Sequence, residues 1–152
     1  MPISLAAAGF TLLIASISLV QQVDLKGYVA LSSVAHIGNG SIGLLNLSEE
    51  SVGGALVIGL SHGIVSPCLF FIVGGLMYGG FTTRLIYAYR GLLVIAPVMG
   101  TLLMLHLFAN IAVPLSPNWI SELLILAGLS HQTLLLCFLS SLNILASAVY
   151  TL

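Results

Sequence analysis

The chain has 152 residues, of which 59% are hydrophobic and 5% charged, with a mean hydropathy of +1.20. Three basic and four acidic side chains cannot clothe a water-soluble domain of this size, and a net charge of −1 without a basic patch excludes nucleic acid as a partner. What remains is an integral membrane protein covered by the lipid bilayer, and its spanning runs must be helices because the backbone has to satisfy its own hydrogen bonds in lipid.

The expected fold is all-α: a polytopic transmembrane bundle of five to six helices in a single membrane domain, 1–152, with no internal repeat. The first run, Ile3–Val20, lacks a basic leader and is too long for a typical signal core, so it is expected to be a retained span. Further apolar runs cover 25–45, 52–77, 91–113, 116–129 and 133–152. Pro67 and Pro97 fall inside the third and fourth and are expected to kink them. In "VPLSPNWISELLIL", Pro114 and Pro117 both interrupt helical bonding; Ser116 suits an N-cap with Pro117 at the first helical position, so a helix breaks and restarts here. Such a break at membrane depth must be buried in protein or face water, and transporters use breaks as ion sites. Gly59 with Gly63, and Gly75 with Gly79, are spaced four apart and are expected to let helices approach closely. Lys26, Arg84 and Arg90 fall at connections on one side, Glu49 and Glu50 on the other, in keeping with a positive-inside bias. Cys68 and Cys137 read as small buried hydrophobes, with no metal spacing.

Ionisable groups inside spans are costly and mark ion or proton paths. Lys26, in "DLKGYVALSSVAHIG", has two readings: a lysine snorkelling to the interface beside Asp24, or a proton carrier in a poorly solvated site. His36 lies ten residues beyond it, about 15 Å along a helix, with Ser33 near the same face. His62, in "GLSHGIVS", is mid-helix. Each histidine is either bonded to a neighbouring helix or part of a relay. Glu122 follows the break, as a carboxylate stabilised by a helix dipole or as a proton carrier. His106 and His131 receive no role. No catalytic triad, phosphate loop or metal cluster is present in the sequence.

These segments, in this order, resemble the antiporter-like proton-translocating subunits of mitochondrial NADH:ubiquinone oxidoreductase, respiratory complex I, and among them chain 4. "QVDLKGYVALSSVAHIG" is similar to that family's D-[IL]-K-x-[LI]-[IV]-A-Y-[ST]-S-V-[SA]-H-M segment, and "GGALVIGLSHGIVSPCLFF" to its A-H-G-x-x-S-x-x-L-F segment. "RGLLVIAPVMGTLLMLHLFANIAVPLSPNWISELLIL" follows the family's P-P-x-x-N-[LF]-x-G-E region, and "LNILASAVYTL" its late A-x-Y-[ST]-L helix. Chain 5 would carry a lysine after the histidine, where "SHGIVSPC" has none. The resemblance implies that Lys26, His36, His62 and Glu122 belong to a buried proton-transfer axis, supported by Asp24 and Ser33. It implies other complex I membrane-arm subunits as partners and the mitochondrial inner membrane as location. Flavin, iron–sulfur clusters and quinone would bind elsewhere in the complex, since this chain has neither the cysteine ligands nor a Rossmann glycine motif.

The chain departs from the pattern in several places. "MYGGFTTR" keeps Tyr78 and Arg84 without the acid, and Ser121 replaces the glycine before Glu122. The family's earlier half, with its P-L-H-x-W-L-P segment, and its final helix are not among these residues. The chain is therefore expected to be the C-terminal half of a split or reduced subunit, with another polypeptide supplying the N-terminal half. A cation/proton antiporter subunit of the same superfamily and a non-pumping structural module are the alternatives.

Overall fold

A computed structural model describes residues 2–130 and 134–151; His131 lies outside them. Helix α1 runs Pro2–Val20, α2 Leu25–Asn46 and α3 Glu49–Phe70. A π-wound stretch, Phe71–Met77, carries α3 into a last turn, α4 (Tyr78–Phe81). A 3-10 turn (Ile86–Tyr89) and α5 (Leu92–Ile95) lead to α6 (Pro97–Asn110), α7 (Pro117–Ser130) and α8 (Leu134–Thr151). Among the described residues the only extended pairing is an isolated bridge between Asp24 and Leu85. α1 (from Ile3) and the continuous segment Glu49–Phe81 are each long and apolar enough to cross a membrane.

Local chemistry sets the helix starts. The Asp24 carboxylate opens α2 by accepting from the backbone N–H of Lys26 at 3.0 Å and of Gly27 at 3.5 Å, as an N-cap does. Ser48 opens α3 by accepting from the Ser51 N–H at 3.3 Å. Ser116 opens α7 as its sequence suggests: its Oγ accepts from the Trp119 N–H at 3.3 Å, with Pro117 first in the helix. Pro67 does lie within α3, where its missing N–H leaves the Gly63 carbonyl without its helical donor, and the π-wound turns begin four residues after it. Pro97 behaves differently from expectation. It begins α6, and Ala96 before it is pushed out of the helical region, at φ −139°, ψ 76°, because the proline ring disfavours that conformation for its predecessor. Run 91–113 is thus two helices and not one kinked helix.

The passes can be followed by depth. Backbone bonds from Leu25 N–H to Arg84 O (3.0 Å) and Ile86 N–H to Val23 O (3.1 Å) tie the α1–α2 connection to the loop after α4. Lys26, Arg84 and Arg90 therefore share one end, with Glu49 and Glu50 at the other end of α2. α6 starts near the basic end, where Gly100 and Leu103 line one cavity with Leu25. It stops beside His36, at the midpoint of α2. α7 resumes there and reaches the acidic end, where the Asn46 amide donates to Gly128 O at 3.1 Å. So α6 and α7 are the two halves of one broken pass, and the six apolar runs make five passes among the described residues.

Two apolar clusters hold the bundle. One, towards the basic end, contains Val29, Leu69, Ile72, Met77 and Leu103. The other, towards the acidic end, contains Leu12, Ile42, Ile58, Ile125 and Leu129. Of the buried polar residues, His36 and Asn39 of α2, Ser61 of α3, Asn110 of α6 and Asn118 and Glu122 of α7 lie between them. α8 is registered by two polar contacts: Ser140 Oγ donates to Asn39 Oδ1 at 2.6 Å, and Ser16 Oγ donates to Asn143 Oδ1 at 2.9 Å. The glycine pairs singled out by spacing are not the packing glycines within this chain. A Cβ at Gly59, Gly63 or Gly79 would meet nothing within 4 Å, and one at Gly75 only its own Phe71 ring. Close approach occurs at Gly54, whose Cβ would lie 2.7 Å from Ser121 O, and at Gly128, at 2.8 Å from Ser51 N.

Candidate functional site

The site grows from the broken pass. Between Asn110 and Pro117 the chain turns through Ala112 (φ 61°) and Leu115 (φ 81°), both left-handed. That conformation costs a non-glycine residue about 1–3 kcal/mol and persists where surrounding structure dictates it. The break exposes the last carbonyls of α6 at mid-depth, where no bulk water can satisfy them. Two side chains do so instead. Asn118 Nδ2 donates to Ala109 O at 3.0 Å, and His36 Nε2 lies 3.0 Å from Asn110 O.

The second contact fixes the tautomer. A carbonyl oxygen only accepts, so Nε2 of His36 carries a hydrogen, and in the neutral ring Nδ1 is left as an acceptor. Nδ1 faces Glu122 Oε1 at 3.6 Å, with both side chains about 3–4% exposed. The gap is just beyond hydrogen-bond reach and too narrow for an intervening water. Closure by less than an ångström would put one proton between a carboxyl oxygen and an imidazole nitrogen. Transfer then breaks an O–H bond and forms an N–H bond, leaving a carboxylate beside an imidazolium.

His62 on α3 completes the group. Its ring centroid is 5.2 Å from that of His36, tilted 41°. His62 is half-buried and lines, with His36, Gly40, Ile58 and Gly59, a groove of about 320 Å³ between α2 and α3. Towards the basic end Ser33 Oγ donates to Val29 O at 3.0 Å, so the Ser66 hydroxyl, also at 3.0 Å, is the donor to Ser33. The structure thus brings His36, His62 and Glu122 together, with Ser33 and Ser66 on the same α2–α3 interface. It leaves Lys26 apart, exposed on the first turn of α2. Asp24 spends its carboxylate on the helix cap, and no Lys26–Asp24 ion pair is present among the described residues.

Sequence reasoning missed Asn110, Asn118 and Ser66. One signal was available: Asn118 precedes Glu122 by four residues, so both lie on one face of α7. The amide oxygens of Asn110 and Asn118, Ser61 Oγ and Nδ1 of both histidines are buried without a hydrogen-bond partner in the protein. Each such atom costs about 1–3 kcal/mol if it stays unsatisfied.

The His36 contact makes a stability prediction. His36→Leu leaves Asn110 O buried without its donor and is expected to lower stability by about 1–3 kcal/mol. His36→Gln keeps an N–H for that carbonyl and is expected to recover most of the loss. Thermal unfolding of the detergent-solubilised protein compares the two; equal melting of both variants would show that the side chain does not hold the helix end.

Residues 1–148 match the transmembrane family of NADH:quinone oxidoreductases and Mrp antiporters. The chain is 40% identical over 151 residues to NADH-ubiquinone oxidoreductase chain 4 of Candida albicans, covering 99% of this chain and 32% of that protein. It is 37% identical to the chain 4 of Mycosarcoma maydis, covering 99% of this chain and 31% of the relative. With Arabidopsis thaliana chain 4 the identity is 34%, over 99% of this chain and 30% of the relative. The chain spans about a third of the length of these curated relatives. With its broken pass and buried polar layer inside an all-helical membrane bundle, the chain belongs to the NADH:quinone oxidoreductase/Mrp antiporter transmembrane family.

Proposed function

We propose that the chain is a membrane-arm subunit of respiratory complex I, of the chain 4 type, and that it moves protons while NADH is oxidised and ubiquinone reduced elsewhere in the complex. The observation that carries this reading is the buried Glu122–His36 pair, 3.6 Å apart at a mid-depth helix break. A buried acid–imidazole pair contributes little to stability, because desolvation offsets its attraction, and it suits proton exchange. Glu122 exchanges a proton with His36 Nδ1, and His62 connects the pair to the α2–α3 groove. Ser33 and Ser66 extend the polar line towards the basic end, where Lys26 is the family's linking lysine by resemblance. Changes in local charge during quinone reduction would drive the exchange.

In this reading the chain is a non-redox part of a proton-translocating NADH:ubiquinone reductase in the mitochondrial inner membrane. Flavin, iron–sulfur clusters and quinone are held by other subunits. The family's remaining segments come from another polypeptide or another segment of the same product, and those helices cover the exposed apolar faces of α1 and α3.

Native-gel separation of gently solubilised membranes, stained for NADH oxidation and followed by mass spectrometry, tests the assignment. The chain is expected in the NADH-active band together with the family's earlier segments. Recovery in a smaller band without NADH activity would move the chain to a cation/proton antiporter complex and end the complex I assignment.

A further inference from the structure

The helix break presents more acceptors than the protein supplies donors for. Asn110, the last residue of α6, is 2% exposed, and Asn118, near the start of α7, is 0% exposed. Each already has one fixed polar contact across or beside the break: Asn110 through its backbone O to His36, and Asn118 through Nδ2 to Ala109 O. The second contact orients the Asn118 amide, because Nδ2 must be the atom facing a carbonyl, so the other atom is oxygen. The amide oxygens of both residues are then buried and without a partner, and so is Nδ1 of His36.

Nδ1 of His36 faces Glu122 Oε1, which leaves the two amide oxygens as acceptors. Their natural occupant is a small molecule made of donors, and buried polar groups of this kind are commonly completed by ordered water. An anion is disfavoured beside two acceptors, and a bulky ligand by the packing of Ile111 and Ala112, both buried in the turn. Asn118 and Glu122 are one turn apart on the same face of α7.

We propose that Asn110 and Asn118 are positioning residues, whose amide oxygens hold water at the break and give the proton exchanged between Glu122 and His36 a neighbouring acceptor. This rests on the relay reading of that pair. The backbone contact of Asn110 with His36 survives substitution, although its side chain also lies against the His36 ring. Asn118 also ties the two half-helices together, which makes Asn110 the cleaner test.

The experiment uses the intact complex carrying the chain, purified and reconstituted in liposomes, with Asn110→Leu and Asn110→Ser beside the unaltered protein. A high-resolution electron cryomicroscopy map of the unaltered complex should show water within hydrogen-bond distance of both amide oxygens. Asn110→Leu should lose that density, slow proton transfer through this chain by about tenfold, as loss of an orienting partner does, and raise the solvent deuterium isotope effect. Asn110→Ser, small and hydroxylated, should restore water and most of the transfer. Absence of water in the unaltered map overturns the proposal whatever the variants do, and should Asn110→Leu fail to assemble, that map and Asn110→Ser decide. Water present, but proton-to-NADH ratio and isotope effect unchanged in Asn110→Leu, also overturns it and leaves the relay intact. A ratio equally unmoved in Glu122→Gln would instead remove the relay itself.

Discussion

Glu122→Gln is expected to stop proton transfer through this chain while leaving the bundle assembled. Glutamine has nearly the same shape, and its amide N–H can face His36 Nδ1 as the acid does, so the packing around residue 122 is kept. What it lacks is a proton to give up and recover. Positioned acid–base groups typically contribute a hundredfold or more to a proton-transfer step, so the rate through this path should fall by about that factor at least. The measurement is the ratio of protons pumped to NADH oxidised in proteoliposomes, read beside NADH:ubiquinone activity and the amount of assembled complex. A variant that assembles normally and keeps the ratio of the unaltered protein would show that Glu122 carries no protons. The 3.6 Å pair with His36 would then be a structural neighbour only.

Gly54→Ala is expected to force apart two helices that meet closely in this bundle. The new Cβ would lie 2.7 Å from Ser121 O and 2.9 Å from both Ile125 N and Ile125 Cγ1. Two of these are backbone atoms of α7, which cannot rotate aside as a side chain can. α3 and α7 must separate, and overpacking of this kind costs about 1–3 kcal/mol. Membrane helices are held by close van der Waals contact and not by water exclusion, so the lost contacts are not repaid elsewhere. The displacement also acts on function, because Ser121 precedes Glu122 and any shift of α7 widens the gap to His36. Gly53→Ala is the matched control. Its Cβ would meet nothing within 4 Å, and alanine is the better helix former by about 1 kcal/mol. The expected result is a lowered melting temperature and reduced proton-to-NADH ratio for Gly54→Ala, with neither change for Gly53→Ala. Equal behaviour of the two would mean that α3 and α7 do not meet closely at this point.

The helical runs and the break were readable along the chain because each depends on neighbouring residues. Asp24, which the sequence offered as a partner for Lys26, instead opens α2 through the N–H groups of the next residues. Ser116 and Pro117 begin α7 for the reason their order suggests. Composition excluded every alternative to a membrane bundle, since so few charges leave lipid as the only adequate solvent. Polar residues placed in apolar runs likewise drew His36, His62 and Glu122 out of the sequence, because burying them is costly wherever the helices pack.

What depends on residues far apart in the chain was settled by tertiary structure. Runs 91–113 and 116–129 read as two spans; the carbonyls of Ala109 and Asn110, met by Asn118 and His36 at mid-depth, make them one broken pass. Glycines spaced by four looked like the close contacts, yet Gly43, Gly54 and Gly128 are among those whose added Cβ would meet the backbone of a neighbouring helix within 3 Å, since close approach depends on which face the partner covers. Lys26 stood out because a charge in an apolar chain is conspicuous, while Asn110 and Asn118 are uncharged and passed unnoticed. The sequence alone determined solvent, helical class and which side chains are expensive to bury, all of which follow from local chemistry. The fold alone decided which of those side chains face one another, because a distance of 3.6 Å between residues 36 and 122 is a property of packed helices and of nothing along the chain.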